Sequence, residues 1–179
     1  MAIVAGDILI KLSTKAGAAG NTLTSTPATA LGKYLSTTEI TDASANNLFD
    51  DVSALENEAL TVEYRCFFVH NAHASLTYQG PLAYVYSEVS GGCALAIAVD
   101  SVAASAIGSS SAQALEVAND ATAPDAIVFS TPTTAATGLA LGDIPAGQCK
   151  AVWVRRTAAN TTAVNNDGGV IRVLGGTAA

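Results

Sequence analysis

The clearest signal along the chain is alternation with a period of two, the mark of strands with one face buried. In "TVEYRCFFVHN" (61–71), Val62, Tyr64, Cys66 and Phe68 fall on one side, and Glu63, Arg65, Phe67 and Val69 on the other. "DILIKL" (7–12) sets Ile8, Ile10 and Leu12 against Asp7, Leu9 and Lys11. "CALAIAV" (93–99) alternates Cys93, Leu95, Ile97 and Val99 with alanine, so its alanine face is expected to lie against something close. In 149–157, Cys149, Ala151, Trp153 and Arg155 oppose Lys150, Val152, Val154 and Arg156, and the single Trp is expected in the core. "SLTYQGPLAYVYSEV" reads as a strand interrupted at Gly80-Pro81, which implies a strand end or a bulge. Shorter strands are predicted at 113–119 and 126–130. "VIRVLG" (170–175) is expected to return on the 148–157 strand as a hairpin, turned by the Asn-Asp-Gly-Gly at its foot.

Between these runs lie segments without a period. Residues 13–32 are rich in Gly, Ala, Ser and Thr and read as a long loop. Loops of that length are uncommon inside compact domains, so 1–35 is predicted to be an N-terminal arm, and 36–179 the folded domain. Residues 40–60 are predicted to be irregular with one helical turn. Many short strands between turn signals, with no alternating long helices, predict an all-β fold: an antiparallel β-sandwich of Ig-like or jelly-roll type with an extended N-terminal arm. A barrel is the neighbouring possibility.

Composition narrows the function. Alanine is the commonest residue and aromatics are 6%, so the core should combine a few large side chains with many small ones. Charged residues are 13%, against about 25% in an average domain. The formal charge of -7 argues against a nucleic-acid partner, whose phosphates call for a basic surplus. A sparsely charged surface suits burial in an assembly. No apolar run reaches the length of a membrane span, and "MAIVAGDILIKLSTK" lacks the basic start of a secretory signal, so a soluble protein made in a cytoplasm is expected. Cys66, Cys93 and Cys149 are odd in number and far apart, and are expected to be buried free thiols.

Catalytic, cofactor and metal motifs are not found. His70 and His73 form an HxxH without further ligands, and are read as residues flanking a turn. Asp50-Asp51 and "NNDGG" do not match a calcium loop. "GSSSAQ" is not a nucleophile elbow, and "GAAGNT" lacks the Lys-Ser/Thr of a phosphate loop. The Asn160 sequon is read as incidental. No enzyme activity and no cofactor are expected. Arg155-Arg156 is read as a strand-end feature, one arginine facing solvent and one paired with a carboxylate, or as an anchor for a partner. Tyr78, Tyr84 and Tyr86, on nearby strands, leave a carbohydrate-binding module open.

Four stretches carry a family resemblance: "NNLFDDVS" (46–53), "EYRCFFVHN" (63–71), "IPAGQCKAVWVRRT" (144–157) and "NNDGGVIRV" (165–173). With the opening "MAIVAGDI", they resemble structural proteins of tailed bacteriophages, most of all a capsid cement or decoration protein. That resemblance implies a non-enzymatic, β-rich homotrimer on the outer capsid surface, bound to the major capsid protein and stabilising the shell. A tail, neck or baseplate component is the alternative. On this view Ile3, Ile8 and Ile10 of the arm, with Arg155 and Arg156, are the expected partner-binding residues.

Overall fold

The computed structural model describes residues 2–17, 21–164 and 167–177. Among the described residues nine strands, all paired antiparallel, form two sheets. They are β1 (Ile8–Thr14), β2 (Tyr34–Glu39), β3 (Val62–Asn71), β4 (Gln79–Glu88), β5 (Ala94–Val99), β6 (Ser105–Ala106), β7 (Leu139–Ala140), β8 (Gln148–Thr157) and β9 (Gly169–Gly176). The larger sheet has the order β2-β1-β3-β8-β5, with β6 added to β8; the smaller has the order β7-β4-β9. The fold is all-β, as the alternation predicts.

The period-two pattern decides what each face of the large sheet meets. Phe67 and Val69 of β3, Val152 and Val154 of β8 and Ile97 of β5 join one core cluster. Ala83 and Val85 of β4 complete it from the smaller sheet, with Ile171 and Val173 of β9 packed against it. The opposite face carries Cys66, Phe68, Ala98, Cys149, Ala151 and Trp153. Among the described residues no second sheet covers that face. It is roofed by irregular chain, including Leu31, Ala114, Leu115, Val117, Ile127 and Phe129. Ala96 and Ala98 are buried there, so the alanine face of β5 does lie against close neighbours. Small side chains let the roof approach the sheet. At Gly32, where φ is +89°, an added Cβ would stand 2.0 Å from the Leu115 carbonyl oxygen and 2.9 Å from the Trp153 ring. Only glycine fits that backbone and that space.

Within the segment read as an N-terminal arm, residues 8–14 form a strand of the large sheet. β1 pairs with β2 on one side and β3 on the other, from Ile8↔Asn71 to Leu12↔Phe67. It is an interior strand of the large sheet. The long connection from 15 to 33 suggested a free arm, but part of it packs on the sheet: Ala30 is fully buried, and Ser13 Oγ accepts from Gly32 N at 2.9 Å.

Two further expectations change. β8 and β9 do not form a hairpin: β9 pairs with β4, and β8 lies between β3 and β5. The chain crosses from one sheet to the other after Thr157. The strands predicted at 113–119 and 126–130 are irregular; the first is bridged at Glu116 to Gly32 in the segment before β2, the second at Ser130 to Ile97 of β5. Other local readings hold. The β4–β9 register shifts between Gln79 and Leu82, at Gly80-Pro81. The single helical turn in 40–60 is α1 (Ala54–Ala59), capped reciprocally by Ser53 and Glu56 and ended by Leu60 in the left-handed region. Among the described residues no helix is long and apolar enough to cross a membrane.

Candidate protein-interaction surface

The residues singled out in the sequence separate on folding. Ile3, Ile8 and Ile10 are partly buried and pack against the main core, so they help hold the two sheets together. Arg156 is buried at 7% exposure. Its Nε donates to Glu63 Oε2 at 2.9 Å, its Nη2 also meets Glu63, and its Nη1 donates to the Asp50 carbonyl. Arg65 lies on the other side of Glu63, 3.6 Å from Oε1, and reaches Asp120 at 3.2 Å. The Phe49 ring takes both guanidinium groups, Arg156 at 4.8 Å and Arg65 at 5.5 Å from its centre. The register Glu63↔Arg156 makes this possible, because directly opposed residues share a face. Three segments far apart in sequence, those holding Phe49, Glu63 and Arg156, therefore meet in one cluster. It fastens the 46–53 loop to the sheet. Arg155 points to the roofed face, where its guanidinium stands 5.5 Å from the Phe129 ring centre. Of the two arginines, Arg156 pairs with carboxylates and Arg155 with an aromatic ring.

The other candidate groups are also absorbed by the fold. His73 Nδ1 accepts from the backbone N–H groups of Ser75 and Leu76 and so makes the turn after β3. His70 is buried with neither ring nitrogen hydrogen-bonded, and burial pulls its pKa down. Cys66 and Cys149 are buried free thiols. Cys93 is only half-buried, short of the burial expected for it. Burial and the neighbouring Asp167 push its thiol up to about 12, so it stays protonated at neutral pH. Among the described residues no group of three or more His, Cys, Asp or Glu side chains could hold a metal ion. Asn165 and Asn166 of "NNDGG" lie outside the described residues.

Exposed apolar side chains are scattered over the domain, Val128, Leu55 and Val4 among them, but on the smaller sheet Tyr86, Val170 and Leu174 lie on paired strands. The inner face of that sheet is filled by Ala83, Val85, Ile171 and Val173, so alternation puts Tyr84, Tyr86, Val170, Arg172 and Leu174 on the other face, where Tyr84 is covered and the other four are exposed. Val170 is 45%, Leu174 48% and Tyr86 50% exposed. Arg172 lies over the Tyr86 ring, 3.3 Å from its centre, and Tyr84 meets Tyr86 edge-on at 6.4 Å. Tyr78 and Tyr84 are buried, so the three tyrosines do not form an open sugar platform.

The same sheet ends in an open edge. The outer edge of β2 is met by the segment around Leu23, whose carbonyl accepts from Thr37 N at 2.9 Å. The outer edge of β5 exchanges two hydrogen bonds between Ile97 and Ser130, at 2.8 and 3.0 Å. β4 is covered beside β7 by Pro132, whose carbonyl accepts from Val85 N. β9 pairs only with β4, and among the described residues nothing pairs with its other side. An eight-residue edge strand with four branched apolar residues, one arginine and no proline is poorly protected against pairing. Its signal in the sequence was the short alternating run itself; that it ends a sheet was not visible. Comparison with protein-family models, with curated proteins and with solved structures found no match.

Proposed function

We propose that this chain is a non-enzymatic structural protein of a tailed-phage virion, acting as a decoration protein that binds the outer surface of the capsid and stabilises the shell. The observation that carries the proposal is the small sheet, which offers an apolar outer face, a Tyr86–Arg172 stack and an unpaired edge on one side of the domain. Tyrosine and arginine are the residue types that dominate protein interface energetics. The potentially reactive groups elsewhere are taken up by the fold: Arg156 by Glu63, His73 by its turn and Cys66 by burial. The acidic charge of -7 favours a position away from packaged DNA. The resemblance of the four sequence stretches to phage structural proteins supplies the virion setting, with the major capsid protein and further copies of the chain, arranged as a homotrimer, as partners.

Such a protein works by adding contacts. Each copy needs only modest affinity, because a trimer engaging several shell subunits gains through effective concentration. The test is shell stability with and without the protein. Decorated shells should withstand higher temperature than bare ones, and Tyr86→Ala with Arg172→Ala should remove the difference. Bare and decorated shells opening at the same temperature would exclude the stabilising role.

A further inference from the structure

We propose that the open edge of β9 accepts one extended strand from a partner, with an acidic side chain of that strand seated on Arg172. This rests on the interaction role given to the small sheet and names the manner of binding. The first support is the edge. β9 holds extended geometry over Gly169–Gly176, is fixed on one side by β4, and meets no described segment on the other. A strand added there would gain ladder hydrogen bonds and extend the apolar outer face past Val170 and Leu174.

The second support is charge. Arg172 is the one charged residue in β9, it is exposed, and it stands opposite Tyr84 with its guanidinium over Tyr86. Among the described residues no carboxylate lies within ion-pair distance of it. An incoming strand places one side chain beside Arg172 on the outer face, and opposite charges at that position favour pairing. The same rule disfavours a second copy of the chain. Antiparallel pairing of two β9 strands centred on Arg172 sets arginine against arginine. The fitting occupant is therefore an extended segment of another protein, apolar at alternate positions with a central Asp or Glu.

The test uses the purified full chain without shells, so its result is independent of whether shells are bound. Synthetic extended peptides of alternating valine and threonine, with a central aspartate, asparagine or lysine, are titrated while β9 amide exchange is followed by NMR. The expected result is protection of the outward amides of β9, with the aspartate peptide binding roughly three- to fivefold tighter than the lysine peptide. Arg172→Glu should reverse that order, and Arg172→Gln should abolish it. Melting curves identify any variant that fails to fold, and Arg172→Gln keeps a side-chain stem over Tyr86 should the charge reversal prove disruptive. Protection that is independent of the central residue, or none with any peptide, would overturn the proposal. So would outward β9 amides already protected in the protein alone, because a second copy would then cover the edge.

Discussion

The indole nitrogen of Trp153 donates to Oδ2 of Asp100 at 2.7 Å, deep in the protein, where Trp153 is fully buried and Asp100 is 2% exposed. The same carboxyl group accepts from Leu115 N at 2.9 Å and from Val102 N at 2.8 Å. Lys150 Nζ donates to the Asp100 carbonyl at 2.7 Å and to that of Val102. One side chain thus ties the tryptophan of β8, the turn after β5 and the roof over the second face. Asp100→Ala would leave one buried and two partly buried donors unmet. It is expected to cost about 3–4 kcal/mol. Urea unfolding followed by the fluorescence of the single Trp measures it; a loss below about 1 kcal/mol would mean the roof is held by other contacts.

Glu63 sits between Arg65 and Arg156, with all three side chains less than 10% exposed. Glu63→Gln removes the charge that both guanidinium groups face. The expected loss is about 3 kcal/mol, because the arginines stay buried without their main carboxylate. Asp50→Asn should cost far less, since Asp50 is well exposed and water screens its pairing. Equal losses for the two substitutions would show that burial of Glu63 is not what gives the cluster its weight.

His70 gives the fold an acid sensitivity. Its ring is buried without hydrogen-bond partners; burial first, then the charge of Lys11, lowers its pKa below the usual 6.5, while Glu39 acts in the opposite direction. The unfolded chain therefore binds the proton more readily than the folded one. The stability is present above about pH 6.5 and falls as the pH drops toward the lowered folded value. His70→Phe should flatten that part of the profile in melting curves taken from pH 8 to pH 5. An unchanged slope would place the acid sensitivity elsewhere.

Removing residues 1–35 tests the place of β1. Because β1 lies between β2 and β3, its loss would strip one side of β3 and detach β2 from the sheet. The truncated chain is expected to lose cooperative unfolding. A truncated chain that melts cooperatively near the temperature of the full chain would show that the strand is dispensable and restore the reading of the segment as an arm.

The large sheet was legible because its strands have one rule per face. β3, β5 and β8 alternate cleanly, and the faces read from sequence are the faces found, down to the alanines of β5 beneath the roof. The roof was not legible. Ala30, Ala114, Val117 and Phe129 come from irregular segments whose burial follows from distant partners and leaves no period. The small-residue segment after β1 looked like a free arm for that reason. Strand partners were also hidden: the β8–β9 stretch has the local pattern of a hairpin, yet β9 joins β4 in the other sheet. Of the interaction surface, the sequence showed Tyr86 and the run around Arg172, but the meeting of the two depends on the pairing of β4 with β9. The arginines that stood out as a pair, Arg155 and Arg156, face opposite sides of one strand and serve two different clusters.

The decoration role is tested most directly by mixing the purified protein with undecorated phage capsids and sedimenting them, after light scattering has fixed its oligomeric state. The expected result is a trimer that pellets with the shells, and a Tyr86→Ala, Arg172→Ala variant that folds but stays in the supernatant. A monomer left in the supernatant at every shell concentration would contradict the capsid assignment and move the protein to a tail, neck or baseplate position.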